Sequence, residues 1–152
     1  MKHSKEMLIL NDLIHIHNDR AAAYKKMSDV LTEEDLDLKG VFNQYMIDSK
    51  LYANKLERLV ASLGGDLEDM MLTGTIYRIW MDVKAIFAGP IKTSVLNACE
   101  AGERAIQKAY QFAIESSDEI SDDTMDILED HQFALNEAYK SMKLRRDISV
   151  SA

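Results

Sequence analysis

The chain has 152 residues, 47% of them hydrophobic and 29% charged, as in a soluble globular domain, and its one proline and six glycines are too few for an all-β fold. The net charge of −8 argues against nucleic acid or anionic membrane as a partner. The single cysteine excludes an internal disulfide, and no segment approaches the ~20 apolar residues of a membrane span, so we expect a cytoplasmic protein.

Helical periodicity predicts four long helices, each with an apolar seam that advances in alternating steps of three and four residues. The predicted helices span about residues 5–31, 33–63, 90–116 and 122–146. Thr32 and Ser121 are placed to cap the second and fourth helices. Gly64-Gly65 is placed to end the second helix. These signals predict an all-α domain over residues 1–152.

A fifth, shorter helix is predicted at about residues 75–88, in the connection between the second and third long helices. Its apolar stripe contains Trp80, and we interpret this stripe as a cover for the core or as an interface. The short loops within each pair of long helices predict two antiparallel hairpins. The long connection can carry the chain back along the bundle, which predicts an up-down, return, down-up order.

Basic residues cluster near the end of the fourth predicted helix, at Lys143, Arg145 and Arg146. We interpret them as cations that complement the dipole of a last helical turn, rather than as a nucleic-acid site.

A weak internal repeat relates the first and third helices. Leu10-Asn11 and Ala23-Tyr24 match Leu96-Asn97 and Ala109-Tyr110 at the same internal spacing. In this alignment His17 is equivalent to Glu103. Two similar hairpins about a pseudo-twofold axis would produce such a repeat, and so would chance.

One polar residue interrupts each seam near mid-height of the bundle, a level set by the ~1.5 Å rise per residue. These residues are His17, Ser49, Glu103 and His131. Asp48, Glu100 and Gln132 lie beside the seams, and Tyr24, Tyr45, Tyr52 and Tyr110 point polar tips into the same core. Three interpretations stay open: a polar layer whose members satisfy one another, a metal or small-ligand site, and partial exposure through fraying.

The residues that could ligate a metal in this core are His17, Glu100, Glu103 and His131, and the metals considered are iron and manganese. Di-iron bundles use Glu-x-x-His pairs, and the sequence contains none. Asp12-x-x-His15 has the spacing but lies off the seam, so we expect it on a solvated face. Cys99 lies on an apolar seam and is expected to be an inert buried thiol.

Four stretches resemble an uncharacterised bacterial family of ferritin-like four-helix-bundle proteins, distantly grouped with rubrerythrins. They are LNDLIHIHNDRAAAY, IYRIWMDVKAI, LNACEAGE and LRRD, and the resemblance covers about residues 8–147. It implies a ferritin-like fold, and the superfamily implies iron or manganese and oxidative-stress chemistry. Among ligand positions it carries over only Glu100 or Glu103, so a site built on His15 or His17 would be particular to this chain.

Three functions follow as hypotheses. The first is a non-enzymatic bundle that acts as a homo-oligomer or by binding a partner, in stress or stationary phase. The second is a metal-dependent oxidase or ferroxidase. The third is a binder of a small apolar ligand in the core, which is rich in methionine and tyrosine.

Overall fold

The computed structural model describes residues 5–65, Ile76, Tyr77, Trp80 and residues 95–151, with no side chains described at 117, 150 and 151. The described residues form four long helices and no strand, which confirms the prediction of an all-α bundle. The helices are α1 (Lys5–Val30), α2 (Leu36–Ser62), α3 (Val95–Glu115) and α4 (Asp122–Ser151). Short 3-10 turns at Glu33–Asp35 and Ser117–Glu119 precede α2 and α4.

The helices pack as two pairs, α1 along α2 and α3 along α4. Side-chain contacts give the directions. His17 meets Ser49 and Ser28 meets Asn43, so residue numbers rise along α1 as they fall along α2. The pair is therefore an antiparallel hairpin.

The second pair is also antiparallel, because Tyr110 contacts His131 whereas Glu100, ten residues earlier, contacts Arg146. Between the pairs, α1 runs antiparallel to α3. Its early residue Lys5 reaches Glu119, just past the end of α3, and its late residue Met27 reaches Cys99 near the start of α3. The four helices thus run up, down, down and up.

Several helix ends differ from the sequence-based expectation. Thr32 makes no side-chain cap, because a 3-10 turn separates it from α2. Ser121 does cap α4, through its Oγ and the backbone N–H of Thr124 at 3.4 Å. The start of α3 is described from Val95, and the predicted residues before it lie outside the described part.

The dipole interpretation of the C-terminal cations is wrong, because α4 continues to Ser151 and its last turn has no basic residue. Two of these cations, Arg145 and Arg146, instead join helices. Arg145 pairs with Asp37 near the start of α2 at 3.2 Å, and Arg146 pairs with Glu100 on α3 at 3.2 Å.

The predicted glycine stop ends α2. Gly64 has a φ of 81°, in the left-handed region that side chains with a Cβ avoid. The next N–H, of Gly65, returns to the carbonyl of Val60 at 3.0 Å and closes the last turn.

Replacing Gly64 with alanine is expected to lower the free energy of unfolding by about 1 kcal/mol, because the Cβ is strained at positive φ. Gly40 is the matched control. It lies within α2, and a Cβ added there meets nothing within 4 Å. Gly40→Ala should therefore raise the free energy of unfolding by about 0.5–1 kcal/mol. Urea unfolding measures both, and changes of the same sign would contradict this account of the stop.

Part of the predicted 75–88 helix belongs to the hydrophobic core. Ile76, Tyr77 and Trp80 are helical and buried, and the rest of the predicted 75–88 helix lies outside the described residues. The Tyr77 hydroxyl and Trp80 Nε1 donate to Asp19 Oδ2 at 2.7 and 3.1 Å. Because Trp80 is buried within its own chain, it does not offer an exposed interface.

The expectation of a solvated face at Asp12 and His15 is also wrong. Asp12 is buried, and its Oδ2 accepts from the backbone N–H of Tyr77 at 3.2 Å. His15 is half-buried, with its ring edge-on to Tyr77 at 6.3 Å between centroids. The contact of this face of α1 with Tyr77 was not predicted from the sequence. Within the described ranges, no helix has the length and apolarity needed to cross a membrane.

Candidate functional site

The four predicted mid-bundle polar residues are all buried in the core. His17, Ser49 and Glu103 are fully buried, and His131 is 7% exposed. Each helix contributes one of them, but they do not share one level. His17 lies close to Ser49 and His131, whereas Glu103 lies two turns before Tyr110, the α3 residue that contacts His131. Two further buried side chains join them, Arg20 from α1 and Tyr110 from α3. We call these six residues the polar layer.

An ion pair lies at one end of the polar layer. Arg20 Nε and Nη2 donate to Glu103 Oε2 and Oε1 at 2.8 and 2.7 Å, which is a two-pronged contact. The Tyr24 hydroxyl also donates to Glu103 Oε2 at 2.9 Å. The guanidinium lies over the rings of Tyr24 and Tyr45, 5.2 Å from each centroid. Both charges are thereby shielded from water and matched.

A chain of hydrogen bonds continues from this ion pair across the bundle. Arg20 Nη1 donates to Ser49 Oγ at 2.7 Å, and Ser49 Oγ lies 3.0 Å from His17 Nδ1. His17 Nε2 lies 2.6 Å from the Tyr110 hydroxyl, which lies 2.9 Å from His131 Nδ1. The chain thus touches all four helices.

One direction of donation gives every group in this chain a partner. Arginine can only donate, so the proton of Ser49 is left to bond Nδ1 of His17. The His17 proton then resides on Nε2 and is donated to the oxygen of Tyr110. The Tyr110 hydroxyl in turn donates to Nδ1 of His131. We assign these tautomers from the hydrogen-bond network.

Both histidines of the polar layer are held neutral. Burial lowers the pKa of His17 well below its usual 6.5, and the charge of Arg20 lowers it further. Burial also lowers the pKa of His131 to about 4, although Asp130 opposes the shift. Neutral imidazoles fit the donation scheme, in which each ring has one donor and one acceptor nitrogen.

Burial likewise keeps the acidic hydroxyls and the thiol protonated. It raises the pKa of Tyr24 and of Tyr110 well above 10, and the carboxylate of Glu103 adds to the effect on Tyr24. Burial raises the pKa of Cys99 in the same way. The Cys99 thiol lies 3.7 Å from the sulfur of Met27, so it is packed as the sequence predicts. The pKa of Arg20 is raised for a different reason. Burial lowers it, but the charge of Glu103 and its hydrogen bond to Arg20 together raise it by more.

Replacing Tyr110 with phenylalanine is expected to lower the free energy of unfolding by about 1–3 kcal/mol, because His17 and His131 both lose a buried partner. Tyr52→Phe is the control. The Tyr52 ring packs on His131 at 4.4 Å between centroids, and that contact survives the substitution. We expect a change within about 0.5 kcal/mol for the control. Equal losses in chemical denaturation would contradict the bridging role of Tyr110.

The remaining residues that the sequence singled out lie outside the polar layer. Glu100 is buried one turn before Glu103, but its carboxylate is bound by Arg104 and Arg146. Asp48 accepts from Gln44 at 2.8 Å on an exposed part of α2. Gln132 donates to Gln111 at 2.9 Å on the outer side of α3 and α4.

Of the four predicted metal ligands, only His17 and His131 lie side by side, with ring centroids 6.2 Å apart. Glu103 is occupied by Arg20 and Tyr24, and Glu100 is occupied by Arg104 and Arg146. Among the residues that the structure describes, no group of three or more His, Cys, Asp or Glu side chains could hold a metal ion.

Arg20, the residue that organises the polar layer, was not among the residues predicted from the sequence. Its spacing from neighbouring residues could have indicated that its side chain is buried. Arg20 follows His17 by three residues and precedes Tyr24 by four, so all three share one face of α1. A cation on a face that also carries buried aromatics requires a buried anion, and Glu103 is the carboxylate on the facing seam.

The weak internal repeat has a structural counterpart. Tyr24 and Tyr110 are 86 residues apart (110 minus 24), as are His17 and Glu103 (103 minus 17). The Tyr24 hydroxyl bonds Glu103, and the Tyr110 hydroxyl bonds His17. Each half of the bundle therefore supplies a tyrosine to the polar residue of the other half. Arg20 breaks this relation, because the equivalent position on α3 is apolar.

The fold and the polar layer define a class: an all-helical bundle with an ion pair and neutral histidines in its core. The chain belongs to the family described as "Domain of unknown function (DUF2383)", which it matches over residues 5–116. This match includes α1 to α3 and therefore Arg20, Glu103 and Tyr110, whereas His131 on α4 lies beyond it. No curated protein matches the chain.

Proposed function

We propose that this protein is a ferritin-like four-helix bundle that catalyses no reaction and acts by associating with another copy of itself. The up, down, down, up order of its helices supports the ferritin-like assignment, because a bundle of this order needs one long crossover connection. Residues 64–89 have the length for that crossover. The family resemblance is what supports a role in stress or stationary phase.

The observation that carries the non-catalytic proposal is the closure of the polar layer. Both carboxylate oxygens of Glu103 and both ring nitrogens of His17 have protein partners. Catalytic and cofactor sites keep a coordination position or a reactive group open to substrate. A closed layer instead fixes which helices pair and in which register, as buried polar residues do in other bundles.

Exposed large apolar side chains support association. Phe133 on α4 is 72% exposed and Leu51 on α2 is 59% exposed, and Leu144 and Ile148 also face solvent on α4. Aromatic residues on a surface are enriched where proteins bind one another.

Sedimentation of the purified protein over a range of concentrations tests the proposal. We expect a concentration-dependent shift to a dimer or larger species. A protein that stays strictly monomeric at high concentration would remove the basis for an associative function.

A metal-dependent oxidase is the second candidate, and one observation favours it. His17 and His131 are neighbouring neutral imidazoles, and neutral imidazole is the form that binds metal. The carboxylate does not fit, because Glu103 would have to leave Arg20 to reach a metal. Elemental analysis after incubation with ferrous iron or manganese decides between the two. Stoichiometric metal that is lost in His17→Ala would support this candidate, and its absence would exclude it.

A further inference from the structure

The Tyr110 hydroxyl lies between two neutral imidazoles. In the donation scheme given above, it accepts a hydrogen bond from His17 Nε2 at 2.6 Å and donates one to His131 Nδ1 at 2.9 Å. The phenol is fully buried, so water does not compete for either bond. The hydroxyl proton therefore faces a base, while the oxygen that carries it faces a donor.

This arrangement has a chemical consequence when the phenol loses an electron. A phenol that has been oxidised by one electron becomes a strong acid and gives its hydroxyl proton to a base in contact with it. Nδ1 of His131 already accepts the hydrogen bond, so the proton has a short path. Burial lowers the pKa of His131 to about 4, and its ring is therefore unprotonated and able to accept at neutral pH.

The surroundings of His131 suit it to receive this proton. The carboxylate of Asp130 on α4 favours the protonated ring, whereas the ammonium group of Lys55 on α2 opposes it. His131 is also the one member of the polar layer that is more than 1% exposed. Water can therefore reach the ring that takes up the charge, and a single side chain separates the Tyr110 oxygen from solvent on this side.

Tyr24, the counterpart of Tyr110 in the internal repeat, is bonded differently. Its hydroxyl donates to Glu103 Oε2 at 2.9 Å, but the same oxygen accepts from Arg20 Nε at 2.8 Å. A proton on Glu103 would remove the charge that holds Arg20 and would leave a buried, unpaired guanidinium. Loss of a proton is therefore costly at Tyr24, whereas at Tyr110 the acceptor is a neutral ring near the surface.

We propose that Tyr110 is a redox-active residue, which gives one electron to an oxygen-centred radical such as a peroxyl radical while its proton passes to His131. The O–H bond of Tyr110 breaks and an N–H bond forms at Nδ1 of His131. Tyr110 becomes a neutral phenoxyl radical whose oxygen still accepts from His17. The peroxyl radical is reduced to its anion and takes a proton from water to give a hydroperoxide, and the imidazolium releases a proton to water.

This inference goes beyond self-association and does not rest on it. Each chain gives one electron, so the step consumes an oxidant without turning over a substrate. The oxidant needs no pocket, because an electron can cross the short distance from Tyr110 to the surface through the packed side chains. Burial also keeps the phenoxyl radicals of two chains from meeting and coupling.

Electron paramagnetic resonance tests the inference on wild-type protein. Mixing with hexachloroiridate(IV), an outer-sphere one-electron oxidant, followed by rapid freezing should give a phenoxyl signal that narrows when tyrosine is ring-deuterated. Electron–nuclear double resonance should detect an exchangeable proton on the radical, donated by His17 and lost in D₂O. Absence of the phenoxyl signal, or of the exchangeable proton, would overturn the inference without any substitution in the core.

Matched variants locate the radical. Tyr110→Phe should abolish the signal, and Tyr24→Phe, which removes another fully buried phenol, should retain it. Circular dichroism should show intact helices in both before oxidation. A signal that survives Tyr110→Phe, or that is lost in Tyr24→Phe alone, would contradict the assignment to Tyr110.

A third substitution tests the proton acceptor. In His131→Gln the amide oxygen can still accept a hydrogen bond but cannot hold the proton, so the radical yield should fall about tenfold or more. His15→Gln is the control, because it removes an imidazole outside the polar layer, and it should leave the yield unchanged. An undiminished yield in His131→Gln would exclude His131 as the acceptor and overturn the proposed step.

Discussion

Replacing Arg20 with alanine is expected to lower the free energy of unfolding by about 3–5 kcal/mol, the largest effect we expect from any single substitution in the polar layer. The side chain is 1% exposed and its partner Glu103 is fully buried. Without the guanidinium, Glu103 would be an uncompensated charge in the core, or would have to take up a proton. Ser49 would also lose its strongest donor. Urea unfolding of the variant against wild type gives the value.

Removing both charges should cost less than removing one. In Arg20→Met with Glu103→Leu, no buried charge is left unpaired, and apolar replacements of buried ion pairs are often neutral or stabilising. We expect the double variant to be more stable than Arg20→Ala alone. The single variants Arg20→Met and Glu103→Leu complete the comparison. If their losses in the free energy of unfolding simply added in the double variant, Arg20 and Glu103 would not be coupled and the ion pair would not organise the polar layer.

Lowering the pH from 7 to 5 is expected to destabilise the fold through His17 and His131. Both have a folded-state pKa below their value of 6.5 in the unfolded chain. Well above pH 6.5 both histidines are neutral in either state, and they add no pH dependence. Below it the unfolded chain binds protons that the folded core rejects, so stability falls as the pH drops towards the folded pKa.

The size of the acid effect follows from His131. With a folded pKa of about 4, its share of the loss reaches about 2 kcal/mol at pH 5, at 1.36 kcal/mol per pH unit. His17 adds a loss of the same sign. Urea midpoints across this range measure the slope, and His131→Gln should reduce it. His15→Gln, outside the polar layer, should leave the share of His17 and His131 intact. A flat profile in wild type would show that the two rings bind protons in the folded state as they do in the unfolded chain, and are therefore not buried.

The sequence alone determined the helices and most of the buried polar residues of the core. Helix formation and amphipathic seams are local properties, set by spacings of three and four residues along one segment. Counting residues from each hairpin loop placed His17, Ser49 and His131 close together, but it misplaced Glu103, which lies two turns before the α3 residue that contacts His131. Stops such as Gly64 are also local, since they depend on the conformation of one residue.

Only the tertiary structure decided how those residues are used. Whether Glu103 faces a metal, a histidine or Arg20 depends on rotamers and on separations of a few ångströms between helices that are far apart in sequence. Periodicity does not fix such quantities, and Arg20 was overlooked because charged residues are usually exposed. Asp12 was misplaced for a related reason, because its partner, the backbone of Tyr77, comes from a segment 65 residues away. The polar layer could be located from sequence, but its pairing could be read only from the folded chain.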